Sequence, residues 1–327
     1  MLSVATLRGG VAATTGGTEI GSHRAPSAST VALLVAPPLL WAGNAVVARA
    51  LVGEFPPLAL SFARWAVAFL LILPFAWRAL RAGWPALHGK WPVIAAISAL
   101  GVGCYNSLQY LALQTSTAVN ATLIGASAPV INLMIGAAFF ATPVVRGQWI
   151  GAALSMMGVL IVFARGDLQN VARLQLERGD LIMLVATITW SLYTWLLRTR
   201  RPGLTATPFL ALQVGLGALM ILPFAVLEYV WTGATVALTV SNAAALAYVA
   251  VFPSLVAYFC WDRGVARAGA VLPMYFVNLT PVFAGLLSYA ALGEDIGPYH
   301  LIGGGLIIAG IHLASRFAAS AARSSAR

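Results

Sequence analysis

The chain has 327 residues, 60% of them hydrophobic and only 9% charged, where a soluble domain carries about a quarter charged residues. A soluble fold is therefore excluded, and the net charge of +10, which would suggest nucleic acid for a soluble protein, becomes a topology signal. No phosphate-binding loop, HExxH, nucleophile elbow or paired carboxylate within a span is found, and Cys104, Cys260 and the four scattered histidines make no ligand set, so enzymatic chemistry and cofactors have no sequence support.

Residues 1–29 are rich in Ser, Thr, Gly and Ala and lack the apolar run of a signal peptide, which reads as a disordered cytoplasmic tail. Ten apolar windows follow, at 31–52, 57–80, 91–113, 116–141, 146–165, 179–199, 205–230, 241–262, 268–292 and 297–318. Each has roughly the 20 residues a helix needs to cross a bilayer core. The expected fold is an all-α membrane protein of ten transmembrane helices, with a first unit at 30–165, a linker at 166–178, a second unit at 179–318 and a tail at 319–327.

Taken in order, helix 1 carries Trp41 and Asn44, and helix 2 carries Arg64 near its start and ILPFA late, at 72–76. Helix 3 carries Tyr105, Asn106 and Gln109; helix 4 carries Asn120, Thr122, Ser127, Asn132 and a central Pro129; helix 5 opens with the GxxxG of Gly147 and Gly151. Trp190, Tyr193 and Thr194 in helix 6 are spaced i, i+3, i+4, on one face. Helix 7 repeats ILPFA at 221–225, helix 8 carries Tyr258 and Trp261 on one face, helix 9 carries Tyr275, Asn278, Thr280 and Pro281, and helix 10 carries Gly303, Gly304, Gly305, Gly310 and an isolated His312.

Of the 19 basic residues, fourteen fall at the termini and in the loops that share a side with them, and three, Arg165, Arg173 and Arg178, fall in one loop of the other side. By the positive-inside rule both termini are cytoplasmic.

ILPFA recurs at an offset of 149, which also carries Trp41 onto Trp190 and Arg49 onto Arg198. After a three-residue slip an offset of 152 carries Pro129 onto Pro281 and Ile150, Gly151, Leu154 and Gly158 onto Ile302, Gly303, Leu306 and Gly310. Five helices are followed by the same five. Five being odd, the second copy enters from the opposite face, and such inverted repeats hold substrate between their halves. ILPFA itself, lacking a polar side chain, reads as packing and as a registration mark.

The stretches WAGNAVVARALVGEFPPLALSFAR (41–64), STAVNATLIGASAPV (116–130), LGE (292–294) and LIGGGLIIAG (301–310) resemble the two EamA units of the drug/metabolite transporter superfamily. Within it the chain looks most like the YddG-type exporters of aromatic amino acids. The resemblance implies a ten-helix basket in a bacterial-type inner membrane, with a central cavity lined by helices 1, 3, 4, 6, 8 and 9. Small-cation exporters of that superfamily place a glutamate in helix 1, where this chain reads Leu40-Trp41-Ala42-Gly43-Asn44.

The candidate substrate residues are Trp41, Asn44, Tyr105, Asn106, Gln109, Asn120, Trp190, Tyr193, Thr194, Tyr258, Trp261, Tyr275 and Asn278. Amides and aromatics buried in hydrocarbon face inward or pair across helices, so the alternatives are interhelical hydrogen bonds and interfacial rings. Pro129 and Pro281, matched and near mid-helix, are candidate hinges, with packing kinks as the alternative. Arg64 is expected to have a structural or gating role, bonding carbonyls or pairing with Glu54, with capture of a substrate carboxylate as the alternative. Together these predict export of an aromatic or other bulky neutral amino acid by alternating access around an uncharged cavity, without ion coupling. The alternatives are efflux of another metabolite or drug-like compound, and a non-transporting receptor or scaffold. Helices 5 and 10, small-residue-rich, are expected to make a close contact, within the chain or between two copies.

Overall fold

In hydrocarbon an unpaired backbone group costs several kcal/mol, so a chain that spans as a bundle must satisfy its peptides within helices. The computed structural model follows that constraint: no strand occurs among the described residues, which are 26–50, 55–116, 118–164, 167, 169, 177–233, 239–292 and 297–324. Most of the expected N-terminal tail, Glu54 and most of the 166–178 linker lie outside them, whereas Ala28 and Ser29 of that tail already belong to the first helix.

The continuous helices are α1 (Ala28–Ala50), α2 (Pro57–Gly83), α5 (Arg146–Ala164), α6 (Arg178–Thr199), α7 (Ala206–Thr232) and α10 (Pro298–Ser324). The other four are interrupted. In α3, Trp91–Ser98 and Tyr105–Ala112 are joined by a π-helical stretch, Ala99–Cys104; in α8, Val240–Val249 and Ala257–Ala268 are joined by another, Ala250–Val256. The fourth, α4, breaks between Ala118–Gly125 and Ala128–Phe139, and α9 breaks between Leu272–Val277 and Thr280–Leu292. Among the described residues eight helices are long and apolar enough to cross a membrane, and two shorter apolar stretches, Ala28–Asn44 and Leu272–Leu287, accompany them.

The interruptions obey the repeat. The offset of 152 carries Ala126 and Ser127, the break in α4, onto Asn278 and Leu279, the break in α9, and carries the π stretch of α3 onto that of α8. Pro129 and Pro281 each sit at the second position of the restarting segment, where a missing N–H costs nothing. The packing repeats too: α1 lies on α8 as α6 lies on α3, α1 lies on α9 as α6 lies on α4, and α2–α7 and α5–α10 are each their own image. At the α2–α7 contact both copies of ILPFA bury the same letters, Ile72 and Ala76 or Ile221 and Ala225, and expose the phenylalanine, Phe75 or Phe224.

Two features fix the ends of the bundle. Glu228, late in α7, accepts from the backbone N–H groups of Leu58 and Ala59 at 2.9 and 2.8 Å, a carboxylate at the positive end of α2. The second feature is the α5–α10 contact, which lies within this chain: a Cβ at Gly158 would stand 2.5 Å from the Gly303 carbonyl oxygen, and one at Gly303 would stand 2.6 Å from that of Gly158. Gly151 and Gly310 approach in the same reciprocal way. Helix-packing glycines of this kind let two backbones touch.

The α5–α10 seam generates a paired expectation. Gly303→Ala should lower the thermal unfolding midpoint in detergent, since forcing a methyl into closed backbone costs about 1–3 kcal/mol. Gly305→Ala, whose Cβ would meet nothing within 4 Å, should leave the midpoint unchanged. Equal midpoints for the two variants would show the seam to be slack.

Candidate functional site

An aromatic cluster occupies the meeting of the two halves. Trp190 of α6 is its hub, with ring centroids 5.3 Å from Trp41, 4.8 Å from Tyr105, 5.0 Å from Tyr193, 5.5 Å from Tyr258 and 5.1 Å from Trp261. Trp41 adds contacts to Trp261 and Tyr258 at 5.5 and 6.4 Å. The rings close on one another: Trp190 is 3% exposed, Tyr258 1%, and Tyr193 and Trp261 0%. Trp65 of α2, which the sequence reading left out, stands edge-on to Tyr258 at 4.9 Å.

The cluster is aimed by the π stretches. An extra residue in the helical ladder frees a carbonyl, and such bulges recur at functional sites. Tyr258 donates its hydroxyl to the Gly101 carbonyl at 2.7 Å, and Trp41 donates its indole N–H to the Pro253 carbonyl at 3.1 Å. Gly101 is glycine for space as well, since a Cβ there would stand 2.5 Å from the Tyr193 ring.

A polar layer flanks the cluster toward the start of α2. Arg64, 1% exposed, gives Nε and Nη2 to Ser254 Oγ at 3.0 and 2.7 Å and Nη1 to Asn106 Oδ1 and the Tyr110 hydroxyl at 3.2 and 2.7 Å. Asn106 Nδ2 donates in turn to the Tyr258 hydroxyl at 2.9 Å, joining this layer to the rings. The guanidinium lies 4.9 Å over the Trp65 ring. Among the described residues its hydrogen-bond partners are hydroxyls and an amide rather than the carbonyls expected; the Glu54 alternative lies outside the described residues.

A second polar layer lies on the other side of the rings, toward the start of α7. Asp262, 0% exposed, accepts from the Tyr193 hydroxyl at 3.0 Å and from Gln213 Nε2 at 3.2 Å, and the same hydroxyl stands 3.2 Å from Gln213 Oε1. The sequence places the end of helix 8 at 262. The helix instead continues to Ala268, with Asp262 turned in and Arg263 exposed over the Phe259 ring. The expectation of an uncharged site is thereby corrected: a buried cation and a buried carboxylate flank the rings on opposite sides.

The two layers are images of each other under the repeat. The offset of 149 carries Arg64 onto Gln213, and that of 152 carries Tyr110 onto Asp262 and Asn106 onto Tyr258. The bond Arg64–Tyr110 is thus the counterpart of Gln213–Asp262.

The remaining predicted residues divide. Asn44 is buried, and its Oδ1 has no hydrogen-bond partner among the described residues. Gln109 is half-buried, and Thr194 bonds back to the Trp190 carbonyl at 3.0 Å. Three belong elsewhere. Asn120 donates to Asp180 at 2.9 Å in a cap at the start of α6, which Ser116 and the Glu177 N–H also join. Tyr275 donates to the Gln148 carbonyl at 2.7 Å, tying α9 to α5. Asn278 gives Nδ2 to Ser155 Oγ at 2.9 Å and to the Ala126 carbonyl at 3.2 Å, so the break in α9 satisfies the break in α4. These are the interhelical hydrogen bonds of the alternative reading.

Comparison with known proteins bears on this site. Residues 28–164 and 177–316 both match the family model described as the EamA-like transporter family. An uncharacterized transporter from Archaeoglobus fulgidus is 29% identical over 88% of this chain and 97% of its own length. The uncharacterized transporter YyaM of Bacillus subtilis is 26% identical over 82% of this chain and 88% of its own. A probable terminal-alkyne amino-acid exporter of Streptantibioticus cattleyicolor is 24% identical over 68% of this chain and 73% of its own. A solved crystal structure, 20% identical, shares the fold with a TM-score of 0.71 over 88% of this chain and 97% of its own.

The Arg64 layer yields an expectation of its own. Arg64→Met strands Ser254, Asn106 and Tyr110 in a buried place, at about 1–3 kcal/mol for each unsatisfied group, and should lower the unfolding midpoint. Arg64→Lys should restore little of it, because one ammonium cannot reproduce a planar fork. A lysine variant as stable as the parent would show that charge alone is required.

Proposed function

The chain belongs to the EamA-like transporter family and is a membrane transporter; from that premise we propose that it exports aromatic or other bulky neutral amino acids. The observation that carries the proposal is the ring cluster around Trp190, to which the first half brings Trp41 and Tyr105 and the second brings Tyr193, Tyr258 and Trp261. The probable terminal-alkyne amino-acid exporter among the relatives supports amino acids as the substrate class.

The proposed mechanism is alternating access by ten spans in two inverted halves, with both termini cytoplasmic in a bacterial-type inner membrane. On that orientation the Arg64 layer faces outward and the Asp262 layer faces the cytoplasm. Substrate enters by parting the rings of one half from those of the other, and the π stretches of α3 and α8 and the breaks of α4 and α9 are where the helices bend. Parting the rings forfeits about 0.5–1.5 kcal/mol for each aromatic pair. An aromatic side chain inserted among them returns those contacts, whereas a small aliphatic one does not, and selectivity follows. Arg64 closes the outer side by holding Asn106 and, through it, Tyr258.

Flux into proteoliposomes across a panel of amino acids, sugar phosphates and cations tests the proposal. Tryptophan and phenylalanine should move fastest, Trp190→Ala should cut that flux at least about tenfold through loss of roughly 1.4 kcal/mol or more of binding, and Trp190→Phe should retain part of it. Flux confined to phosphates or metal cations would refute the reading.

A further inference from the structure

Asp262 is the one acid that the described residues bury inside the bundle beside the ring cluster, and the export reading gives it no task. Ionisable groups at such depth are costly and mark ion or proton pathways. We propose that Asp262 is a proton-binding site through which inward proton movement drives export; the inference rests on the export reading above.

The geometry of its partners carries the argument. Tyr193, Gln213 and Asp262 form a triangle in which every side is within hydrogen-bond reach. With the carboxylate charged, Tyr193 and Gln213 Nε2 both donate to it. With the carboxyl protonated, its O–H donates to the Tyr193 oxygen, the Tyr193 hydroxyl turns to Gln213 Oε1, and Gln213 Nε2 still donates to the other carboxyl oxygen. In both protonation states each carboxyl oxygen keeps a partner without displacement of a heavy atom, since a hydroxyl both donates and accepts. A carboxylate held by a guanidinium has no such freedom: the cation donates only and fixes the charged form.

The electrostatic surroundings are sparse. The charged and titratable groups that act on Asp262 are Tyr193 from α6, Tyr258 one turn earlier on its own helix, and Arg201 from the segment leading into α7. Arg201 lies over the Phe209 ring at 5.6 Å, one turn before Gln213, at the approach to the site. Of the helices packed on this segment, α6 also brings Arg198, which donates to the Ala266 carbonyl at 3.2 Å, α9 brings Tyr275, whose hydroxyl is turned to Gln148, and α1 meets Gly264 at Leu34.

Coupling follows from the connection to the rings. Tyr193 touches both Asp262 and Trp190, so protonation, which reverses the Tyr193 hydroxyl, acts on the side chain that packs against the hub. The repeat makes the device one-sided: the counterpart position on the outer side is Tyr110, held by the permanently charged Arg64. In one cycle, one proton is taken from outside and released to the cytoplasm while one zwitterionic amino acid leaves, so one positive charge enters per substrate exported.

Proteoliposomes holding the full-length protein test this, with tryptophan as substrate and the membrane potential clamped. A gradient of one pH unit, acid on the extracytoplasmic side, should drive about tenfold tryptophan accumulation on that side, the equivalent of one proton per substrate. Asp262→Asn should abolish that accumulation while tryptophan–tryptophan exchange continues, and Asp262→Glu should recover part of it. Infrared spectroscopy of the substrate-free protein should show a carboxyl C=O band that rises and falls with pH and is missing in Asp262→Asn. Tryptophan flux indifferent to the gradient overturns the inference and leaves the export reading intact. If tryptophan does not move at all, the export reading falls, and so does the coupling built on it; the infrared titration then decides proton binding at Asp262 by itself. A misfolded Asp262→Asn leaves the parent's gradient dependence and the Asp262→Glu infrared band as the deciding measurements, and a parent without a titrating carboxyl band overturns the inference.

Discussion

The site depends on one constraint: a backbone carbonyl freed inside the bundle must find a donor, since hydrocarbon supplies none. The π stretches of α3 and α8 free such carbonyls side by side at the meeting of the halves. The Gly101 carbonyl takes the Tyr258 hydroxyl, the Pro253 carbonyl takes the Trp41 indole N–H, and the Val249 carbonyl takes Ser254 Oγ at 2.7 Å. Ser254, fixed in this way, offers its oxygen to two nitrogens of Arg64. The orientations of the rings and of the buried cation thus follow from where the helical ladder is interrupted. Unbroken helices at the same places would leave these donors without their acceptors.

Repetition then supplies the frame and divergence supplies the chemistry. A repeated unit brings the same position of each half to the interface, so each structural solution occurs twice: two π stretches, two breaks, two layers flanking the rings. The letters at those positions differ. Arg64 and Tyr110 in one layer answer to Gln213 and Asp262 in the other, and Asn106 answers to Tyr258, with which it bonds. One side holds a permanent cation and the other a titratable acid, so the two sides of the site respond differently to the same solution.

Much of this was legible in the sequence, because hydrophobic runs and a sustained repeat are long signals. The span positions, the pairing of Trp41 with Trp190 and of Pro129 with Pro281, and the face shared by Trp190 and Tyr193 needed only spacing. What was not legible depends on the direction of single side chains. Asp262 and Arg263 are adjacent letters of one helix, one buried and the other exposed, and a charge pair read along the chain looks like a boundary. Asn120, Tyr275 and Asn278 are polar letters on the expected helices, yet each satisfies a backbone or cap group remote from the rings. A π stretch has no letter of its own. Gly101 and Pro253, matched under the repeat offset, were the signal that could have revealed it.

Neither buried charge is bonded to an opposite charge among the described residues. Arg64 is held by two hydroxyl side chains and an amide, Asp262 by a phenol and an amide. Separating a buried ion pair leaves a naked charge and costs about 3–5 kcal/mol, whereas a neutral hydrogen bond contributes about 0.5–1.5 kcal/mol net and can be exchanged for water as a side opens. On the alternating-access mechanism proposed above, each layer opens once per cycle and closes again. On that mechanism neutral partners keep the step reversible at small cost, and the ring cluster, common to both layers, sets the barrier that a fitting substrate lowers.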